Sequence, residues 1–171
     1  MLPVCFAAAA LVVAVPVMAQ ERFDHRGALG VLLGGGLEHK SSGVIGAIPD
    51  SGVRGDVDLG LTFPVGHDGN ELAFWARGTL GGPSLDLSLT GGYRGYFAED
   101  ERVKTFFDLD AALHAGSAFT IGPRMGFGAM YELSSVVGLY TGLGAQVGFG
   151  STLRFDFELL LGVQLRTYLF E

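Results

Sequence analysis

The sequence is poor in several things that most folded domains contain. It has one cysteine, Cys5, so it can form no internal disulfide and no thiolate metal cluster. Charged residues make up only 17%, where a soluble domain carries about a quarter. Only two of the cations are lysines, Lys40 and Lys104. After the N-terminus, no apolar run approaches the roughly 20 residues that a membrane helix needs. A net charge of −7 argues against general binding to nucleic acid, which requires a basic surface. There is no P-loop, no Gly-x-Ser-x-Gly and no Cys/His metal spacing. The glycine clusters Gly34-Gly35-Gly36 and Gly91-Gly92 fall inside alternating segments rather than before helices, which argues against phosphate cradling. No cofactor is expected.

What is abundant is apolar residues, at 49%, and glycine, at 28 of 171 residues. Mean hydropathy is +0.38. High hydrophobicity without long apolar runs is the pattern of strands that cross a membrane, because only alternate residues face lipid. The scarcity of lysine beside nine-elevenths arginine suits an enclosed ion-pair network, since the planar guanidinium binds carboxylates bidentately.

The N-terminus reads as a signal peptide over 1–19. Val4 to Val15 are almost all Ala, Val and Leu, Pro16 interrupts, and Val17-Met18-Ala19 offers small residues for cleavage. No Lys or Arg precedes the apolar run, and an uncleaved anchor helix is the rival reading. Residues 20–171 form the mature domain, about 19 residues for each of eight strands with its connection.

Period-two alternation places strands at about 28–39, 52–64, 71–80, 85–97, 105–117, 121–132, 136–148 and 152–170. From Val53, one face reads Val53, Val57, Leu59, Leu61, Phe63 and the other Arg54, Asp56, Asp58, Gly60, Thr62. Near the C-terminus, Leu153, Phe155, Phe157 and Leu159 alternate with Arg154, Asp156, Glu158 and Leu160. Turns fall at Gly66–Asn70, Gly81–Ser84, Ala98–Arg102, Leu133–Ser135 and Gly148–Ser151, where Gly, Asn, Asp, Pro and Ser suit the backbone angles.

Alternation does not say which face is inside. A soluble lipocalin-like barrel binding an apolar ligand would alternate too. Three features favour a polar interior. Acids and arginines balance on the polar face. Glycines (Gly122, Gly126, Gly128, Gly138, Gly142, Gly144, Gly148) recur on that face, where a narrow barrel must set small residues against large ones such as Trp75, Arg77, Arg94 and Tyr96. Phe63, Phe74, Tyr93, Phe97, Phe107, Tyr131 and Phe170 gather toward one set of strand ends, as an interfacial aromatic girdle does.

The fold class expected is therefore all-β: an antiparallel up-and-down transmembrane β-barrel of about eight strands. With Val17-Met18-Ala19, the eight alternating segments and the ending Tyr168-Leu169-Phe170-Glu171, the chain resembles the small outer-membrane barrels of the OmpA/OmpX type. That resemblance implies export through the periplasm to the outer membrane, contact with its lipid, and a C-terminal signal, Tyr168 and Phe170, read by the barrel-assembly machinery. Here Glu171 follows Phe170, and Tyr168 and Phe170 are out of phase with Leu159, Leu161, Val163 and Leu165. A β-bulge near Arg166–Thr167 would restore the phase.

Tight hairpins predict who faces whom. A turn between His67 and Asp68 sets Asp58 opposite Arg77. One between Gly82 and Pro83 sets Arg77 opposite Ser88, with Asp86 diagonal. One near Phe119 sets His114 opposite Arg124. The expected lumen network is Arg54, Asp56, Asp58, Arg77, Asp86, Asp110, His114, Arg124, Arg154 and Glu158, a structural plug rather than a pore. His25, His39 and His67 read as solvated. A lipid-modifying enzyme would need His114 to meet a serine and an acid, and Ser117 is three residues away, on the other face of a regular strand. Residues 40–51, with Val44, Ile45 and Ile48, read as the longest outer loop and a candidate surface for a partner. The expectation is a monomeric, non-enzymatic barrel with a structural or surface-interaction role.

Overall fold

The computed structural model describes residues 28–42, 52–66, 69–80, 86–97, 102–116 and 118–168. The signal segment 1–19, His25, His67, Ser117 and Phe170 lie outside them. So do Val44, Ile45 and Ile48, in the β1–β2 connection.

Eight strands follow one another: β1 Ala28–Ser42, β2 Gly52–Val65, β3 Asn70–Leu80, β4 Leu87–Phe97, β5 Val103–Ala115, β6 Thr120–Glu132, β7 Val137–Gly150 and β8 Arg154–Tyr168. Each pairs antiparallel with its neighbours in sequence, and β8 returns to β1, so the sheet closes. Closure is what makes these apolar sequences viable in a membrane. Every strand has a partner on both sides, and no edge of unpaired N–H and C=O groups is left to face lipid.

The alternation is inside-out. On β3, Glu71, Trp75, Arg77 and Thr79 are buried in the lumen, while Leu72, Phe74 and Leu80 are 40–55% exposed on the outer wall. The outer wall continues with Val53, Leu61, Met125, Phe127, Leu143 and Phe157, all exposed. A soluble barrel would bury these. Phe63, Phe97 and Tyr131 lie exposed at the end bearing both termini, and Phe119 and Phe149 form a second outward aromatic group at the other end.

Many glycines serve close cross-strand approach. Gly60 faces Trp75, Gly91 faces Phe74, Gly95 faces Phe107, Gly128 faces Phe106 and Gly162 faces Tyr140 in register. In each pair the aromatic ring occupies the space a Cβ would need. This is the pairing by which sheets tolerate glycine while curling tightly. Backbone freedom matters at the β2–β3 turn, where Gly66 and Gly69 both have φ of 71°.

Three local expectations are corrected. The turn expected at Gly148–Ser151 is a strand end: β7 runs through Gly150, which pairs with Thr120, and the connection is Ser151–Leu153. Gly148 and Gly150 are small because Thr120 and the Phe119 carbonyl lie against them, not because the chain turns there. The bulge expected near Arg166–Thr167 is absent. The β1–β8 register runs unbroken from Ser42↔Arg154 to Ala28↔Tyr168, because Arg166 takes the inward position and bonds Glu132 at 2.7 Å. The first outer loop is shorter than 40–51, since β1 continues to Ser42 and Lys40 is buried.

Candidate functional site

The lumen is the chemically distinctive part of the described structure. Among the described residues, ten acids are buried there (Glu38, Asp56, Asp58, Glu71, Asp86, Asp108, Asp110, Glu132, Asp156, Glu158) against seven bases (Lys40, Arg77, Arg94, Lys104, Arg124, Arg154, Arg166). Strand pleating alone puts them there: each stands in period-two phase with inward neighbours.

At the end away from the termini, three centres interlock. Arg77 holds Asp58 at 2.6 Å and Glu158 at 2.5 Å, with Asp56 at 3.6 Å. Arg124 bridges Glu158 at 2.8 Å and Asp110 at 2.5 Å. Arg154 and Lys40 share Glu38 and Asp86, and Arg154 also grips Asp156 at 2.7 Å. Thr79 accepts a hydrogen bond from Lys40 at 3.0 Å. His114 contacts the Gln146 amide and lies 3.6 Å from Asp156.

Halfway down, the lumen narrows to an apolar waist of Leu32, Trp75, Phe106, Tyr140 and Leu160. Trp75 and Tyr140 meet edge to face at 5.7 Å. The Arg94 guanidinium lies 4.1 Å from the Phe106 centroid and 5.4 Å from that of Trp75, a cation–π arrangement. Arg94 is fastened by two hydrogen bonds to Asp108, at 2.7 and 2.9 Å. Asp108 in turn lies 3.7 Å from Arg124, so the ion-pair chain passes the waist on that side.

Toward the termini a second polar tier fills the barrel. Tyr96 donates to Glu71 at 3.0 Å, Gln164 donates to Thr62 at 2.9 Å and to Glu71 at 3.1 Å, and Arg166 joins Glu132 to the Gln164 carbonyl. Lys104 lies 3.6 Å from Glu132.

Of the residues read from sequence as a lumen network, Asp56, Asp58, Arg77, Asp86, Asp110, His114, Arg124, Arg154 and Glu158 are all buried inside the barrel. Arg54 is half-buried near the β2 end, in register with Glu38. Asp58 stands opposite Arg77, and Arg77 opposite Ser88. His114 does not face Arg124. It faces Thr120, and Arg124 faces Asp110, because the β5–β6 register is displaced by four residues from the one a turn near Phe119 would set. Phe119 is already tied down: its N–H donates to the Ser151 hydroxyl, and its carbonyl accepts from the Ser151 N–H. Asp86 lies diagonal to Arg77, opposite Thr79, and its carboxylate bonds Lys40 and Arg154 across the barrel. The reading of individual strands missed Glu38, Lys40, Glu71, Arg94, Lys104, Asp108, Glu132, Asp156 and Arg166 as network members. The signal was present: each stands in the inward phase of its strand.

The arrangement offers little for catalysis. His114 is buried in the lumen, where no lipid ester on the outer wall can reach it. Among the described residues no group of three or more His, Cys, Asp or Glu side chains could hold a metal ion.

No protein-family model matches the chain, and no curated protein sequence does. Solved structures do. Neisserial surface protein A superposes with a TM-score of 0.70 at 16% identity, covering 83% of this chain and 100% of that one. The N-terminal β-barrel domain of Pseudomonas aeruginosa OprF gives 0.62 at 11% identity, covering 83% and 98%. A de novo designed transmembrane β-barrel gives 0.54 at 18% identity, covering 83% and 97%. The chain therefore has the eight-stranded fold of small outer-membrane barrels. A designed barrel shares this fold, so the fold on its own implies no particular function.

Proposed function

We propose that the protein is a non-enzymatic barrel of the bacterial outer membrane with a structural or surface-interaction role. Its lumen is closed by charged side chains, so that whatever it recognises is met on the outside. One observation carries this reading: ten acids and seven bases lie buried inside a wall of exposed Leu, Val, Phe and Met. Only a surrounding solvent of lipid makes that polarity favourable. The lipocalin-like alternative needs the apolar face turned inward, and here it is turned out.

In this reading both termini are periplasmic and the chain is exported with its 1–19 segment removed. It is inserted by the barrel-assembly machinery and works as a monomer. Residues 43–51, the rest of the predicted first loop, are the candidate surface for a partner. The plug is favoured over a pore because the waist and both polar tiers pack side chains into a barrel this narrow.

The test is fractionation of Gram-negative cells expressing the full chain, followed by gel migration with and without boiling. Recovery in the outer membrane with a heat-modifiable band is expected. Recovery as soluble periplasmic protein without a heat shift would refute the proposal.

A further inference from the structure

Charge is unevenly divided along the lumen. Toward the termini two buried acids, Glu71 and Glu132, are balanced by two bases, Lys104 and Arg166, and at the waist Asp108 is balanced by Arg94. The excess of acid among the described residues therefore lies at the other end. There Glu38, Asp56, Asp58, Asp86, Asp110, Asp156 and Glu158 meet Lys40, Arg77, Arg124 and Arg154, seven acids against four bases. Counting half-buried Arg54 as a fifth base still leaves an excess of two. The sequence holds no further cation for this end: 43–51, 81–85, 116–119 and 151–153, which join the strands there, contain no Lys or Arg.

Asp56 has the weakest support of these acids. It is 5% exposed, and neither of its carboxylate oxygens accepts a hydrogen bond from a described group. Its neighbours in register are Gly36 of β1, which has no side chain to offer, and Thr79 of β3, whose hydroxyl is taken up by Glu38 and Lys40. Arg77 Nε lies 3.6 Å away, but it donates to Asp58 at 2.6 Å, and Nη1 of the same guanidinium meets Glu158 at 2.5 Å. The other charges acting on Asp56 are all acids: Asp58 on its own strand, Glu38 on β1 and Glu158 on β8. A buried carboxylate with no donor and only a share of one cation is strongly disfavoured, whereas a neutral carboxyl is not. A water molecule can donate to it but brings no positive charge. Nor are the acids gathered for a metal ion, since among the described residues no group of three or more His, Cys, Asp or Glu could hold one.

We propose that Asp56 is a proton-binding site of the folded barrel, neutral at neutral pH, and that its proton ties the stability of this end of the plug to acidity. The proposal rests on the closed-lumen part of the reading above, because an open, hydrated lumen would let the carboxyl ionise. The sign of the effect follows from where the proton sits. The folded chain holds one proton that the unfolded chain has released, so raising the pH favours unfolding. Once the proton leaves, Arg77 faces three ionised acids with hydrogen bonds for two, and the contacts that join β2, β3 and β8 through it weaken.

The experiment uses the full chain with its aspartates labelled at the carboxyl carbon, folded in detergent micelles and titrated by NMR, since the shift of that carbon reports protonation. The Asp56 resonance is the one missing from Asp56→Asn, and Asp56→Glu identifies it if the first variant does not fold. It should stand at the protonated position at about pH 6, roughly two units above the 3.9 or so at which an ordinary aspartate loses its proton. In vesicles, the urea-unfolding constant of the parent, relative to that of Asp56→Asn, should rise about tenfold per pH unit from about pH 4 until Asp56 ionises. An Asp56 resonance at the carboxylate position at about pH 6, in a chain that passes no current in planar bilayers, would overturn the proton site and leave the closed lumen standing. The same resonance in a chain that conducts would remove the closed lumen as well. A carboxylate resonance together with stabilisation by added sodium or calcium chloride would assign the charge excess to a bound cation instead. Equal pH dependence of unfolding in parent and variant would overturn the coupling to stability.

Discussion

Arg77→Ala should be among the most damaging single changes available in this barrel. The guanidinium is 4% exposed and serves three acids. Asp58 loses the hydrogen bonds that Arg77 gives it at 2.6 and 3.4 Å, and Asp56 loses an ion pair at 3.6 Å. Glu158 loses a 2.5 Å contact but keeps Arg124 at 2.8 Å, so it is the least exposed to the loss. Removing one partner of a buried pair costs about 3–5 kcal/mol, since the remaining charge is left uncompensated. That is roughly a hundredfold to several-thousandfold in the folding equilibrium. The assay is urea unfolding in vesicles followed by tryptophan fluorescence. Trp75 is the only tryptophan in the sequence and sits in the waist, so its signal reports the lumen alone. The triple variant Arg77→Met, Asp58→Asn, Asp56→Asn removes the charges together and should recover more than half the loss. If Arg77→Ala unfolds within about 0.5 kcal/mol of the parent, the network does not hold the barrel and the reasoning fails.

Other perturbations separate the parts of the structure. Leu143→Arg, on the outer wall at 66% exposure, should destabilise the vesicle-inserted barrel by about 2–4 kcal/mol, and a neutral result in the same urea titration would contradict its contact with lipid. Tyr140→Ala should cost about 3–5 kcal/mol by emptying the waist, read in the same titration. Gly162→Val should prevent closure, because a Cβ there meets the Tyr140 ring and the Leu33 carbonyl; a normal heat-modifiable band would rule that out. In planar bilayers the parent chain should show no steady single-channel current, whereas Trp75→Ala with Tyr140→Ala should admit small cations, drawn by the three-charge excess of buried acid among the described residues.

How far the sequence discloses this structure depends on the range of the information. Alternation is local, so strand positions such as 52–64 against Gly52–Val65, and the inward phase of Asp56, Asp58 and Arg77, are readable from a dozen residues at a time. Register across a tight hairpin is nearly as local: the Gly66–Gly69 turn alone sets Asp58 against Arg77. What is not readable is contact across the barrel. Asp86 finds Lys40 and Arg154 through curvature and shear, which no single hairpin encodes. Glycine misleads for a related reason. Gly148 and Gly150 carry the composition of a turn, yet their smallness answers Thr120 and Phe119 on the neighbouring strand.

The division of the lumen bears on where function can lie. If the charged tiers existed to conduct, the waist between them would be polar and open. Instead Trp75, Phe106 and Tyr140 fill it, with the Arg94 guanidinium stacked against them and held by Asp108, which in turn meets Arg124. Three lumen guanidiniums are held by partners from other strands: Arg94 of β4 by Asp108 of β5, Arg77 of β3 by Asp58 of β2 and Glu158 of β8, Arg124 of β6 by Asp110 of β5 and Glu158. Charges spent on fastening strands across the barrel are not available to a passing solute, and a register slip by one residue would turn every one of them into lipid. In the proposed reading the same residues specify the closed sheet and seal it, and the outer wall and the strand-end connections are the surfaces on which the protein meets other molecules.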